Sequence, residues 1–561
     1  MEKIWLQSYA KGVPATVAYE DVTLSVAMAR SAKKYAETAA LYFEGTTVTF
    51  SQLEEMVNAF AGGLKAMRVD PDDKVGILLP NLVQLVVAYF GALRAGAVAV
   101  MLNPLLSDRE LEYQLNDAGV RVLVSVDLLV PRMIAIRKKT KVTTIISCHI
   151  RDFLPFLKKR LFPLVKSELH RRTPREEHVE EFMHILGQNQ PPGAVRKPKM
   201  DDTAVIMYTG GTTGISKGVE LSQRNLSYNC QQCRAWFPGF EDGKETVVGC
   251  LPFFHSFGLT TVMNLGVMYG YGIVLIPKPE PEKILQAIHT YKATYIPAVP
   301  TMYTGMIDHH RLRDFDLKSL KACFSGAAPL PRETIRDFER LTGAQICEGY
   351  GLTETSPVTH INPFGGITKA GTVGLPLPDT EVKIVNVENY HKEITTPGER
   401  GEICVKGPQV MKGYIHRPDE TEATIRDEWL FTGDIGVFDE EGYFSIVDRR
   451  KDIIVTGGMH VYPRDVDEVL YTYPKVREAC VIGVPSRELG EHVKAYVALK
   501  EGKSATPEEI IEYCRRNLAD YMVPFEVSFV DDLPKSPVGK ILRKEVRRLH
   551  QISSGKKGRG K

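Results

Sequence analysis

Long apolar runs are missing from this chain. The most apolar stretch, Ile77 to Leu106, is interrupted by Pro80, Asn81, Gln84, Arg94 and Pro104. A membrane-spanning helix needs about 20 mostly apolar residues, so the stretch reads instead as strand, turn, buried helix and strand. Cysteine is sparse and scattered, nine in 561 residues, which excludes a disulfide scaffold. The single C-x-x-C, Cys230 to Cys233, has no second pair at zinc spacing and reads as two helix positions. An excess of one charge is also absent. Lys plus Arg total 71 against 69 Asp plus Glu, a net +2, which argues against nucleic acid as a partner. The start, MEKIWLQSYAKG, lacks a secretory apolar core, and the final GRGK matches no lipidation or peroxisomal signal. A cytoplasmic location is expected.

What is present is ordinary for soluble globular protein: 43% hydrophobic and 25% charged residues. At about 150 residues per domain, the length allows three to four domains. The charge is unevenly spread. Residues 535–561 hold ten Lys/Arg and one acid, Glu545, a local +9, so residues 1–534 carry 2 − 9 = −7.

Short β-rich runs (TAVIMYT, TVVGCLP, GIVLIP, ATYIPAVP, LKACFSG, AQICEGYG) alternate with amphipathic helical stretches. That alternation predicts an α/β fold with mostly parallel sheets covered by helices. Between about 370 and 448 the texture changes to Gly, Pro and short alternating strands, which predicts a β-rich subdomain. A charged run, Asp448-Arg449-Arg450-Lys451-Asp452, precedes a compact α+β stretch. The expected division is a body over 1–448 and a small α+β domain over 449–561. Residues 151–176 are basic and apolar together, with Lys158, Lys159, Arg160, Lys166, Arg171, Arg172 and Arg175 among Leu154, Phe156, Leu157, Leu161, Phe162, Leu164 and Val165. Such a segment is either a surface insertion or, through 151–172, a peripheral contact on the inner face of an anionic membrane. Pro155 and Pro163 are expected to prevent one long helix.

The strongest chemical signal is Tyr208-Thr209-Gly210-Gly211-Thr212-Thr213-Gly214-Ile215-Ser216-Lys217-Gly218. Four glycines allow close backbone approach to polyanionic oxygens, hydroxyls add donors and Lys217 adds charge, as a triphosphate cradle requires. The string is not a Walker loop, because Lys217 follows Ser216 rather than glycine.

This string resembles the phosphate-binding loop of the adenylate-forming superfamily of acyl-CoA synthetases, luciferases and peptide-synthetase adenylation domains. Six further motifs follow in the family's order. Pro252-Phe253-Phe254-His255-Ser256-Phe257-Gly258 resembles the segment beside the acyl site. Ser325-Gly326-Ala327-Ala328-Pro329-Leu330 resembles the turn flanking adenine. Gly349-Tyr350-Gly351-Leu352-Thr353-Glu354-Thr355, after Glu348, resembles the adenylate and magnesium motif. Trp429-Leu430-Phe431-Thr432-Gly433-Asp434 is similar to the segment with the ribose aspartate. Asp448 to Asp452 resembles the hinge, and Pro534-Lys535-Ser536-Pro537-Val538-Gly539-Lys540-Ile541 the segment with the catalytic lysine.

The resemblance implies ATP, Mg²⁺ and coenzyme A. It implies Mg²⁺ on Glu354 and Thr212, ribose on Asp434 with Arg449 nearby, His255 at the acyl site and Lys540 at the α-phosphate. The small C-terminal domain is expected to be mobile, pivoting at Lys451, with Gly458 of the pair Gly457-Gly458 lining the pantetheine path. Asp152-Phe153-Leu154-Pro155-Phe156, Asp448 to Val455, Gly458 to Pro463 and Leu533 to Ser536 resemble bacterial long-chain fatty-acid–CoA ligases. A gating tryptophan of some long-chain enzymes has no counterpart, since Ser256, Phe257, Gly258 and Leu259 follow His255. The alternatives are a medium-chain or aryl acyl-CoA ligase, a luciferase-like oxygenase, or a non-catalytic lipid-binding or uptake protein that kept the fold. An amino-acid adenylation domain would want an acid near 253–260, and none occurs there. Oligomeric state is left open.

Overall fold

The computed structural model describes residues 3–191, 193, 197–209, 216–486, 488–535 and 541–557. The chain forms two compact units, one of Lys3–Glu381 with Val405–Leu430 and another built on Val382–Cys404 with the residues from Phe431 onward. This grouping places the strands just before residue 448 with the C-terminal residues. It differs from the division drawn at 448, which concerns the part expected to rotate.

The larger unit holds an eight-stranded and a nine-stranded sheet. In the first, Lys74–Leu78, Val98–Met101, Val120–Val126, Thr144–Cys148, Val179–Glu181 and Thr203–Thr209 are parallel. Lys217–Ser222 returns antiparallel beside Thr203–Thr209 and is edged by Gly413–Tyr414. In the second, Ala39–Phe43, Gly272–Leu275, Thr246–Gly249, Tyr295–Ala298, Ala322–Ser325 and Gln345–Gly351 are parallel. The α/β class read from alternating runs is what folds.

Parallel neighbours need crossover connections, and the apolar stretch after Ile77 supplies one. Strand Lys74–Leu78 leads to helix Val83–Arg94 and then strand Val98–Met101. Every residue of that helix except Arg94 is buried, as expected where apolar residues run all round. Arg94 ends it by bonding Glu54 at 2.7 Å and the Ser25 carbonyl at 3.0 Å. Capping boxes start other helices, Thr49 with Gln52 before Phe50–Ala66 and Ser107 with Glu110 before Asp108–Ala118. The C-x-x-C lies within helix Gln223–Trp236, where both thiols are buried. Burial pushes Cys233 up to about 12, so neither is a reactive thiol.

Helix Phe156–Val165 runs through Pro163. Pro155 caps its start and Pro163 lies in its last turn, so the helix that forms here is a short one of ten residues. Among the described residues no helix is long and apolar enough to cross a membrane.

The smaller unit contains strand Phe444–Arg449 and, from Phe431 on, its antiparallel partner strand Trp429–Phe438. It also contains a five-stranded sheet led by the hairpin Val476–Ser486 and Gly490–Leu499. Helices Pro463–Thr472 and Pro507–Asn517 cover that sheet through Val466, Leu470, Ile510 and Cys514.

Candidate active site

The two ends of the phosphate-loop string lie on paired antiparallel strands. Thr209 ends one strand, Lys217 begins the next, and the two are register partners, as are Tyr208 and Gly218. Gly210, Gly211, Thr212, Thr213 and Gly214 lie outside the described residues. Side chains brace the hairpin base. Tyr208 donates to Asp117 at 2.8 Å, and Tyr113 donates to the Ser216 carbonyl at 3.1 Å. Lys217 pairs with Glu420 and lies 4.8 Å from the Tyr414 ring centre. Tyr414 donates to Glu354 at 2.9 Å, and the Glu354 carbonyl accepts from Met411 N–H at 2.8 Å. One strand-edge segment, 411–420, thus ties the loop's lysine to the expected magnesium carboxylate.

Glu354 sits in a short turn, Thr353–Thr355, after strand Gln345–Gly351. Small residues there are demanded by space. A Cβ on Gly351 would lie 1.9 Å from the Pro357 carbonyl oxygen, and one on Gly349 would lie 2.4 Å from the Phe324 ring. The Tyr350 carbonyl accepts from the Thr359 hydroxyl at 3.2 Å. Glu348 is buried, with its two oxygens accepting Leu330 N–H at 3.1 Å and Gly371 N–H at 3.3 Å. It holds the turn that carries Gly326 and Ala327. Ala327 has φ of +70°, a left-handed conformation unfavourable for any residue with a Cβ.

The aromatic–histidine segment meets these same turns. The Phe257 ring would be 3.1 Å from a Cβ on Gly326 and stands edge-on to Phe324 at 5.0 Å. Ser256 lies 3.4 Å from Thr353 through their hydroxyls. His255 precedes a helix whose residues Leu259–Asn264 widen into π-type turns, a form common at functional sites. Its Nε2 is buried without a hydrogen-bond partner among the described residues, and burial depresses its pKa to about 4. His255 is therefore a neutral imidazole near pH 7.

Asn81 was not singled out by sequence reasoning. It is buried and donates to the carbonyls of Gly249 at 3.0 Å and Leu251 at 2.8 Å, while accepting Phe253 N–H at 2.9 Å. Its signal was faint, one amide after Pro80 where an apolar run breaks. Tyr414 and Glu420 were missed too. Nothing local marks them, since their partners are 60 and about 200 residues away in sequence.

In the smaller unit, Asp434 and Arg449 are register partners on adjacent strands, and Arg449 Nε lies 2.6 Å from Asp434 Oδ1. Gly433, with φ of +70°, lies just before Asp434 within strand Trp429–Phe438. Lys451 occupies the short turn Arg450–Asp452, and Asp452 is held by Arg547 at 2.6 Å. Gly457 and Gly458 form the two-residue turn between Ile454–Thr456 and Met459–Val461, with φ of +56° and +78°. A hairpin turn with two positive φ values demands such residues. The space above Gly458 is open, so backbone conformation alone accounts for glycine there. Lys540 lies outside the described residues. Its segment is flanked by a bridge between Lys535 and Ile541, and Lys535 is fixed by Glu478 and Asp532, each at 2.8 Å.

Comparison with known proteins extends this geometry. Residues 28–415 match the AMP-binding enzyme family, and residues 465–540 match the AMP-binding enzyme C-terminal domain. A long-chain-fatty-acid–CoA ligase of Bacillus subtilis is 42% identical over 97% of this chain and 98% of its own length. One from Escherichia coli O157:H7 is 38% identical over 98% of each. The crystal structure of ATP-bound MatB from Rhodopseudomonas palustris superposes with a TM-score of 0.82 at 30% identity, covering 94% of this chain and 99% of that one.

Proposed function

The chain belongs to the AMP-binding enzyme family, and from that premise we propose that it is an AMP-forming ligase joining a long-chain fatty acid to coenzyme A. The observation that carries the reading is the hairpin base, where Lys217, the register partner of Thr209, lies against the Tyr414 ring and Tyr414 donates to Glu354. The relatives at 42% and 38% identity support the acid and the thiol.

In the first half-reaction a fatty-acid carboxylate oxygen attacks the α-phosphorus of ATP, and the bond to pyrophosphate breaks. Lys217 and the loop N–H groups hold the phosphates, and Asp434 accepts the ribose hydroxyls with Arg449 fixing its orientation. Gly326, Ala327, Gly349, Tyr350 and Gly351 form the surface for the nucleotide, with Thr353 at its end and Glu348 bracing the turn. His255, kept neutral by burial, bounds the acyl side. Lys540 places a positive charge where negative charge grows in the transition state. Glu354, a hard oxygen donor on a half-buried turn, suits Mg²⁺, with Thr212 as second ligand. The ion would neutralise phosphate charge.

In the second half-reaction the thiol sulfur of coenzyme A attacks the acyl carbon, the thiol proton is lost and AMP leaves. The part from residue 449 onward is proposed to pivot at Lys451, withdrawing Lys540 and bringing the Gly458 turn to the pantetheine. The body over 1–448 stays fixed in that motion. Residues 151–172 are proposed to rest on an anionic membrane surface. Phe156, Leu157, Leu161, Leu164 and Val165 are 53% to 81% exposed, with Lys158, Lys159 and Arg160 among them.

Purified protein given ATP, Mg²⁺, coenzyme A and a ladder of saturated acids plus benzoate and ferulate tests the reading. AMP release and thioester should peak with long chains; a peak with the aromatic acids would transfer the protein to the aryl ligases. Salt-sensitive binding to anionic vesicles, lost when Lys158, Lys159 and Arg160 become Glu, tests the membrane contact. Equal binding by that variant refutes it.

A further inference from the structure

Away from the nucleotide site, two adjacent parallel strands end side by side. Val126 and Cys148 are the last register partners of Val120–Val126 and Thr144–Cys148. The next residues, Asp127 and His149, are therefore neighbours, with Asp127 N–H bonded to the Cys148 carbonyl at 2.8 Å. The chain then leaves on the basic, apolar excursion and returns at His170. Among the described residues, one group of three could grip a metal ion: Asp127, His149 and His170, whose donor atoms lie within 4.8 Å of one another.

The donors converge on Asp127 Oδ2. His149 Nδ1 is 2.8 Å away and His170 Nδ1 3.3 Å. The Asp127 side chain is wholly buried, while those of His149 and His170 are 10% and 13% exposed. His170 Nδ1 is buried and makes no hydrogen bond of acceptable geometry. Tetrahedral Zn²⁺ with bonds of ~2.0–2.1 Å places its ligands about 3.3 Å apart. The His170 separation already has that value, and the His149 one needs to open by roughly half an ångström.

The surroundings of the donors are those of a ligand set rather than of loose polar groups. A ligating histidine normally donates its second ring N–H to a fixed acceptor. His149 Nε2 lies 3.1 Å from Thr173 Oγ1, which donates to Ser147 Oγ at 3.0 Å. Asp127 Oδ1 accepts Leu128 N–H at 3.0 Å, and Oδ2 accepts Arg171 N–H at 2.8 Å. Of the charged neighbours, Asp152, bonded to His149 N–H at 3.0 Å, favours a cation here, and Arg151 opposes one.

We propose that Asp127 Oδ2, His149 Nδ1 and His170 Nδ1 form a transition-metal site, suited to Zn²⁺, that clasps the two ends of the 151–169 excursion to the end of the parallel sheet. The fourth position is left to water. Two imidazoles and one carboxylate select zinc over magnesium, which prefers an all-oxygen shell. Binding requires bare Nδ1 atoms, so any proton shared between His149 and Asp127 is released to solvent.

The test uses the full chain, stripped with a chelator and free of nucleotide. Zn²⁺ is titrated by calorimetry, and Co²⁺ by visible absorption. One Zn²⁺ should bind per chain with micromolar or tighter affinity. Co²⁺ should show tetrahedral ligand-field bands without thiolate charge transfer. His170→Gln, at the rim of the cluster, should weaken binding at least ~10-fold, and Thr173→Val, which keeps all three ligands, should weaken it by about 10-fold. Absence of stoichiometric Zn²⁺ binding, a thiolate-type Co²⁺ spectrum, or wild-type affinity in His170→Gln would overturn the assignment.

Discussion

Replacing Asn81 by Ala tests whether one buried amide holds the acyl-side segment in place. Three backbone groups depend on it: the carbonyls of Gly249 and Leu251 and the N–H of Phe253. Gly249 keeps a second partner, Ile276 N–H at 3.2 Å. The substitution therefore orphans two buried groups. At about 1–3 kcal/mol each, the larger unit should lose about 2–6 kcal/mol. Tryptophan fluorescence during urea unfolding reads that unit alone, because Trp5, Trp236 and Trp429 all belong to it. The released strand end leads through Phe253 and His255 into Ser256 and Phe257, which touch Thr353 and cover Gly326. Fatty-acid kcat/KM, measured by AMP release, should fall about tenfold or more, since small misplacements of positioning groups cost that much. Asn81→Asp should be no better, because a carboxylate cannot donate to the two carbonyls. A loss under about 1 kcal/mol with unchanged fatty-acid kcat/KM would refute the positioning role.

Lys540→Ala should slow adenylate formation on the order of 10²–10³-fold yet leave thioester formation from synthetic acyl-adenylate near wild type. Equal impairment of both steps would refute the two-orientation mechanism. Lys451→Pro, by fixing φ, should spare adenylation and slow thioester formation; parallel loss of both would move the pivot elsewhere. His360 is wholly buried, and burial depresses its pKa to about 3. The unfolded chain takes up its proton below about 6.5 while the folded chain does not, so stability present above that pH is lost on acidification. The loss from this group should be about 2 kcal/mol by pH 5. His360→Gln should flatten the acid limb of the fluorescence-monitored stability profile, and an equally steep limb in the variant would refute the assignment.

The sequence by itself determined the elements whose instructions are local. Alternating apolar runs and the broken stretch after Ile77 specify strand, buried helix and strand, because periodicity and Pro80 act within a few residues. The Gly/Thr string, the motif with Glu354 and the Gly457-Gly458 pair stand out for the same reason: each is a run of particular residue types at adjacent positions. Tertiary structure alone decided which distant groups meet. Lys217 finds Glu420, Tyr414 finds Glu354, and Asn81 finds Leu251 and Phe253 only because sheet order brings those chain segments together. The grouping of Asp127, His149 and His170 has no short spacing to announce it. It exists because Val126 and Cys148 end in register and the excursion returns beside them. Pairing of that kind is set by the energy of the whole sheet, which no local window of sequence contains.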